Sequence, residues 1–183
     1  MYKRILVALD GSEYSLAGGN IALTLAQKFK SSMLAVHIYD GQIHSRRLRE
    51  MEPVLPAQYQ EKQTLEHVRQ SHNELIYDGF KALSKGYMEE FEKNALNKGV
   101  VVEQVHREGR NYIELIKIAR EYEVDLVVMG AYGLGITQDN FLGSTVIRVS
   151  RIAQCDTLIT RKDFSQGYIM VGVDGSNHKI QFF

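Results

Sequence analysis

Apolar and polar positions alternate along the chain in two periods, one typical of buried strands and one typical of helices. The run Ile5–Leu9 is apolar throughout and ends at Asp10-Gly11, which predicts a strand buried on both faces. Ser12 can cap the helix that follows. In that helix the apolar residues recur at helical spacing: Ala22, Leu25, Ala26 and Phe29. Met33–Tyr39 predicts a second buried strand.

The second half of the chain repeats this alternation. Val100–Val105, Leu126–Met129 and Thr157–Thr160 are predicted as the third, fourth and fifth strands. One helix is expected to begin with Asn111 at its cap, and another near Ser144. The residues expected to face inward in these two helices are Ile113, Ile116, Ala119, Val146, Ile147, Val149 and Ile152. Such alternation predicts an α/β fold, with a parallel sheet covered by helices on both faces.

Residues 41–71 interrupt the pattern, because they hold both prolines and few consecutive apolar residues. We interpret this segment as a long surface excursion with some helix, a kind of segment that is often functional or disordered. Its cluster Arg46-Arg47-Leu48-Arg49 could reach a phosphate if the segment folds over a binding site. A helical period resumes from about residue 73 and should stop at Gly99. Its candidate core residues are Leu75, Phe80, Leu83, Tyr87, Phe91 and Leu96.

A short internal repeat occurs near the end of the sequence. Tyr168–Ser176 repeats the apolar run and the Asp-Gly-Ser exit of the first strand. We therefore predict one domain over residues 1–163 and, in 167–183, the first strand of a truncated second repeat. An unpaired strand is expected to pair with a sheet edge of the same or another molecule. Chance recurrence of a common strand exit is the alternative.

Composition narrows the class of function. Lys plus Arg and Asp plus Glu number 22 each, so net charge gives no sign of nucleic-acid binding. The single cysteine, Cys155, excludes an intrachain disulfide and a cysteine-based zinc site, which favours a reducing, cytoplasmic location. No apolar run approaches the roughly eighteen residues of a membrane span. The first run ends at Asp10, too early for a signal peptide.

The most informative segment lies between the fourth strand and the next helix. Gly130 and Gly133 are followed, after nine residues, by Gly143 and Ser144. Glycines let main-chain N–H groups approach an anion without a Cβ atom in the way, and a helix N-terminus adds partial positive charge. Neither a Walker loop nor the dinucleotide fingerprint is present. A phosphate site is expected here, beside Asp10 if strands one and four are neighbours. A ligand-free connection, with Asp10 only as a helix-start residue, is the alternative.

This glycine motif, together with Ile5–Ser12 and Val36–Ile38, resembles the universal stress protein family of the ATP-binding type, over residues 2 to about 161. The resemblance implies a Rossmann-like, five-stranded parallel sheet of order 3-2-1-4-5 that binds ATP or AMP, with Mg²⁺ as a further candidate. It also implies a homodimer through the last strand, or pairing with a tandem copy. The implied binding set is Ala8, Asp10, Ile38, Met129, Gly130, Gly133, Gly143, Ser144, Thr145 and Val146.

Within that set the resemblance assigns Asp10 to the ribose and the main chain of Ile38 to adenine. Met129 and Gly130 would border the nucleotide, and Val146 would close the site. The phosphates would be held by Gly133, Gly143, Ser144 and Thr145.

The loop also departs from the family, because many members have a basic residue after the second glycine, where this chain has Leu134. Thr137, Gln138 and Asp139 follow, and an inward Asp139 would repel phosphate, which leaves AMP as open as ATP. No catalytic triad, metal cluster or general base is evident. We therefore expect a stress-response regulator whose adenylate changes conformation or dimer contacts. The alternatives are a slow ATPase and a dimerisation module with an empty loop.

Overall fold

The structure is a computed structural model that describes residues 2–134 and 142–161. Its five strands are β1 (Arg4–Ala8), β2 (Ser32–Tyr39), β3 (Val102–Glu108), β4 (Leu126–Gly130) and β5 (Asp156–Thr160). Its helices are α1 (Glu13–Phe29), α2 (Gly41–Met51), α3 (Lys62–Asn97), α4 (Asn111–Glu121) and α5 (Ser144–Ile152). Two short 3-10 turns, Glu52–Val54 and Ala57–Tyr59, connect α2 to α3.

The strands form one parallel sheet in the order β3-β2-β1-β4-β5, with helices on both faces. The predicted fold is therefore confirmed. Ile5 and Val7 of β1 belong to the hydrophobic core on the α1 and α3 side. Leu6 belongs to the core on the α4 and α5 side. Residues 5–8 of β1 are apolar because both faces of the strand are covered, and only Arg4 at its start is charged.

The first strand exit follows from local chemistry. Asp10 accepts a hydrogen bond from the N–H of Ser12 through Oδ1 at 3.0 Å. Gly11 between them has a positive φ of 78°, a conformation that glycine adopts without strain. Ser12 then caps α1 by accepting from the N–H of Ser15 at 3.1 Å. The predicted inward residues Ala22 and Ala26 are buried in this helix.

Residues 41–71 contain more helix and less irregular structure than the sequence predicted. α2 covers 41–51, and α3 begins at Lys62 rather than near residue 73. Asp40 caps α2 by accepting from the N–H of Ile43 at 3.2 Å. No residue of α2 is buried, and its apolar residues Ile43, Leu48 and Met51 are too few to predict a core-facing helix.

The predicted core face of α3 is also wrong. Leu75, Leu83 and Leu96 are 73%, 51% and 65% exposed. Of the predicted residues only Phe91 is buried, and the buried face of α3 is Ser84, Met88, Phe91 and Ala95. Leu75 lies in the N-terminal half of α3, which packs on α2. Leu83 and Leu96 lie in the half that covers the sheet, but off its buried face.

Smaller corrections concern element ends. Asn111 is the first residue of α4, and Arg110 stands at its cap. Ile152 of α5 is 47% exposed rather than inward. β3 lies two residues later than predicted and extends to Glu108.

The predicted repeat strand in 167–183 and the loop residues Thr137, Gln138 and Asp139 lie outside the described residues. No helix in the described part of the chain is long and apolar enough to cross a membrane.

Candidate functional site

A cavity of about 540 Å³ opens at the carboxyl end of the sheet. It lies where β1 has β2 on one side and β4 on the other, the place at which open α/β sheets bind ligands. Its volume is within the range of roughly 300–1,000 Å³ found for ligand pockets. Every residue of the predicted binding set lines it: Ala8, Asp10, Ile38, Met129, Gly130, Gly133, Gly143, Ser144, Thr145 and Val146. The motif residues and the strand-end residues thus face one space.

Asp10 joins the first strand exit to the glycine loop. Its Oδ1 is bound to the N–H of Ser12, and its N–H donates to the hydroxyl of Ser15 at 3.3 Å. A Cβ atom on Gly133 would lie only 2.6 Å from Oδ2 of Asp10. The prediction that Asp10 lies beside the loop is therefore correct. One carboxylate oxygen fixes the start of α1, and the other faces Gly133.

The start of α5 is arranged as an anion site. The N–H of Ile147 donates to the carbonyl of Gly143 at 3.1 Å and closes the first turn. Gly143 stands at the cap and has no side chain with which to accept from the helix. The amides of Ser144, Thr145 and Val146 therefore have no acceptor within the helix. Together with two hydroxyl groups, they can bind an anion at the positive end of the helix dipole.

The three glycines of the loop lack a side chain for different structural reasons. A Cβ on Gly130 would lie 2.7 Å from the carbonyl carbon of Tyr14 and 2.8 Å from the nitrogen of Ser15. Gly130 is therefore needed for close packing of β4 on α1. The N–H of Gly143 is itself occupied, because it donates to the carbonyl of Ala131 at 2.9 Å. Gly143 thus contributes space to the site rather than a donor.

One wall of the cavity comes from α2 and α3, whose lining residues sequence reasoning did not assign to the site. Ile43 and His44 of α2 and Phe80, Leu83 and Tyr87 of α3 line it. The ring of Phe80 stacks on Tyr39 of β2 at a centroid distance of 5.6 Å, and the ring of His44 meets Phe80 edge-on at 5.3 Å. The helical spacing of the α3 residues was the available signal, but it was assigned to the core.

His37 is packed beneath this wall. Its Nδ1 lies 2.6 Å from the carbonyl oxygen of Leu9, so Nδ1 must carry the hydrogen, because a carbonyl can only accept. Its ring also meets Tyr87 edge-on at 5.6 Å. On the neighbouring strand, burial and then the nearby His37 lower the pKa of His106. With 7% of its surface exposed and these two contacts, His37 is a packed residue.

The charged groups around the cavity are few. Among its described lining residues the carboxylates are Asp10 and Asp40, and there is no lysine or arginine. Asp40 was missed from the sequence. Arg46 and Arg49 line an adjoining cavity instead. The described residues contain no cluster of three side chains able to hold a metal ion.

The sequence model of the universal stress protein family matches residues 1–161. The chain belongs to the universal stress protein family. It is 27% identical over 161 residues to universal stress protein YxiE of Bacillus subtilis, covering 88% of this chain and 100% of that one. A putative universal stress protein of Staphylococcus haemolyticus is 30% identical over 164 residues, covering 88% of this chain and 86% of the relative.

Solved structures of universal stress proteins share this fold. UspA from Lactobacillus plantarum superposes with a TM-score of 0.69 at 22% identity, covering 87% of this chain and 98% of that one. A universal stress protein in complex with cAMP has a TM-score of 0.59 at 22% identity, with coverage of 88% and 99%. One from Archaeoglobus fulgidus in complex with dAMP has a TM-score of 0.56 at 14% identity, with coverage of 87% and 98%. At these identities the likeness establishes the fold.

Proposed function

We propose that this universal stress protein binds an adenine nucleotide in the cavity at the carboxyl end of β1 and β4. The observation that carries the proposal is that all ten residues implied by the family resemblance line one cavity of suitable size. The cAMP and dAMP complexes of proteins with the same fold make adenylates the first ligands to test.

The proposed binding roles follow from the polar groups that face the cavity. The amides and hydroxyls at Ser144 and Thr145 hold phosphate at the start of α5. Oδ2 of Asp10, which faces Gly133, accepts a hydrogen bond from a ribose hydroxyl. The main chain of Ile38 meets the edge of adenine, and Met129 packs on the base. Mg²⁺ would enter only with a polyphosphate, and Asp10 and Asp40 are the described lining carboxylates that it could meet.

The proposed role is regulatory rather than metabolic. The nucleotide contacts a wall built by α2 and α3, so different ligands can favour different positions of these helices. A ligand shifts such an equilibrium only through its differential affinity for the two states. β5 pairs with β4 alone in the described part of the chain, so its other edge is available for a homodimer or a tandem copy. Light scattering with and without AMP tests whether the ligand changes assembly.

Replacement of Gly133 by alanine tests the binding site. The new methyl group would stand 2.6 Å from Oδ2 of Asp10 and displace the carboxylate. We expect AMP affinity, measured by calorimetry, to fall by about tenfold or more, as when a charge-assisted hydrogen bond is lost. Gly79→Ala is the matched control, because nothing lies within 4 Å of a Cβ at that position.

Three results would redirect the proposal. Unchanged AMP affinity in Gly133→Ala contradicts the site. Absence of adenylate in mass spectra of freshly purified protein, with no affinity for added AMP or ATP, favours a dimerisation module. Repeated phosphate release from ATP with Mg²⁺ favours the slow ATPase.

A further inference from the structure

A second cavity, of about 740 Å³, adjoins the nucleotide cavity. We call it the arginine groove, because four arginines line it: Arg46, Arg49, Arg110 and Arg148. They come from three separate parts of the fold, namely α2, the residue before α4, and α5. The two cavities share four lining residues: Asp40, Ile43, Asn111 and Thr145.

Within the described residues, few carboxylates oppose the positive charge of the groove. Asp40 is the only carboxylate among its described lining residues. Arg46 is 3.8 Å from Glu50, with both side chains about two-thirds exposed, and such pairs contribute little. Glu52, at the end of α2, is taken by two hydrogen bonds from Arg69.

Within residues 2–134 and 142–161, Arg49, Arg110 and Arg148 form no ion pair. The pKa of Glu52, which is lowered first by the hydrogen bond from Arg69, is lowered further by the charge of Arg49. Positive groups brought around one space repel each other unless an anion lies among them.

The position of Arg148 connects this charge to the nucleotide. Arg148 is one helical turn after Thr145 on α5, so the two side chains share a face of the helix. Its guanidinium lies 4.8 Å from the ring centroid of Tyr112, a cation–π contact that orients it. A nucleotide held at the start of α5 therefore has this arginine within one turn of the helix.

We propose that the arginine groove binds a second phosphate group of the nucleotide, beyond the phosphate held at the start of α5. This inference rests on the proposed nucleotide binding. The ligand class is an adenine nucleotide with more than one phosphate. The second group is either a distal phosphate of the same chain, as in ATP, or a phosphate elsewhere on the nucleotide, as in adenosine 3′,5′-bisphosphate. Guanidinium groups suit both, because they form paired hydrogen bonds with phosphate oxygens.

The test compares AMP, ATP and adenosine 3′,5′-bisphosphate by calorimetry on the full chain without metal. The variant is Arg49→Gln with Arg148→Gln. The matched control is Arg47→Gln with Arg151→Gln. These two exposed arginines lie on the same two helices, but neither of them lines either cavity. We expect the wild type to bind ATP or the bisphosphate about tenfold or more tightly than AMP. The groove variant should lose that advantage and keep its AMP affinity, and the control variant should keep both.

The ligand that shows the advantage identifies the second phosphate. The inference is overturned if the wild type binds all three ligands equally, or if the groove variant keeps the advantage. It is also overturned if the groove variant loses affinity for AMP as much as for the ligand with the second phosphate. In the first two cases AMP still binds, so the proposed function survives. If none of the three ligands binds, the proposed function and this inference both fall.

Discussion

Gly130 and Gly133 belong to one glycine motif, but different atoms exclude a side chain at each position. The neighbours of Gly130 are main-chain atoms of Tyr14 and Ser15 in α1, and the neighbour of Gly133 is the carboxylate of Asp10. Main-chain atoms at the start of a packed helix cannot rotate away, whereas a carboxylate can. Substitutions at the two glycines should therefore separate stability from ligand binding.

Gly130→Ala should lower the free energy of unfolding. Its methyl group would stand 2.7 Å and 2.8 Å from the two main-chain atoms, so β4 and α1 must move apart. Overpacking of this kind costs about 1–3 kcal/mol. Urea denaturation followed by circular dichroism measures the change, with Gly133→Ala as the comparison that should lose less. An unchanged urea midpoint in Gly130→Ala would contradict the packing role.

At this scale the sequence identified ten residues that line the cavity, but it missed Asp40 and did not give the packing reason for Gly130. Strand ends of a parallel sheet meet at one edge, so Asp10 and Gly130 could be grouped from their positions in the chain, whereas Ile38 was implied by the family resemblance. The contact between Gly130 and Tyr14 could not be foreseen, because it joins residues far apart in sequence.

Among the elements, α3 divides into two parts with different surroundings. Its 36 residues pack on α2 in the first part and on the sheet in the second. The sequence analysis placed the start of this helix near residue 73 and missed residues 62–72. Half-buried apolar residues nevertheless recur at helical spacing in the first part: Leu65, Val68 and Ile76. Phe80, Leu83 and Tyr87 have helical spacing, but periodicity alone cannot say whether that face meets a sheet or borders a cavity.

Gly79 and Gly86 lie inside α3, where a Cβ atom on either would meet nothing within 4 Å. Glycine within a helix costs about 0.5–1 kcal/mol relative to alanine, because it loses more backbone freedom on folding. Gly79→Ala and Gly86→Ala should therefore each raise the free energy of unfolding by about that amount. Urea denaturation of the two single variants and the double variant checks this, with near-additive gains expected. A loss of stability in either variant would show that its surface is covered by another part of the protein.

For the whole molecule, the alternation of strands and helices predicted a parallel sheet with right-handed crossovers, and the family resemblance implied its strand order. The contacts at the end of the sheet opposite the proposed nucleotide cavity were not predictable from the sequence. There the hydroxyl of Tyr2, just before β1, donates to Oδ2 of Asp156 at the start of β5, at 2.8 Å. This bond links two strands that have β4 between them. No local pattern indicates it, since 154 positions separate the two residues.

The link between Tyr2 and Asp156 should make stability depend on pH in the alkaline range. Burial first, and then the hydrogen bond and the negative charge of Asp156, raise the pKa of Tyr2 from 10.0 to about 12. Between these two values the unfolded chain loses the Tyr2 proton while the folded protein keeps it. The stabilisation is therefore complete below about pH 10 and is lost as the pH rises towards 12.

Tyr2→Phe removes this titrating group, so its free energy of unfolding should fall less steeply with pH than that of the wild type. Burial also raises the pKa of Tyr39, so part of the slope should remain in the variant. Urea denaturation of both proteins from about pH 8 to 12 measures the difference in slope. AMP affinity at pH 8 should be equal in the two proteins, because Tyr2 lies at the other end of the sheet. Parallel curves for wild type and variant over the whole range would show that Tyr2 ionises alike in the folded and unfolded chains, and that its bond to Asp156 contributes nothing to the pH dependence.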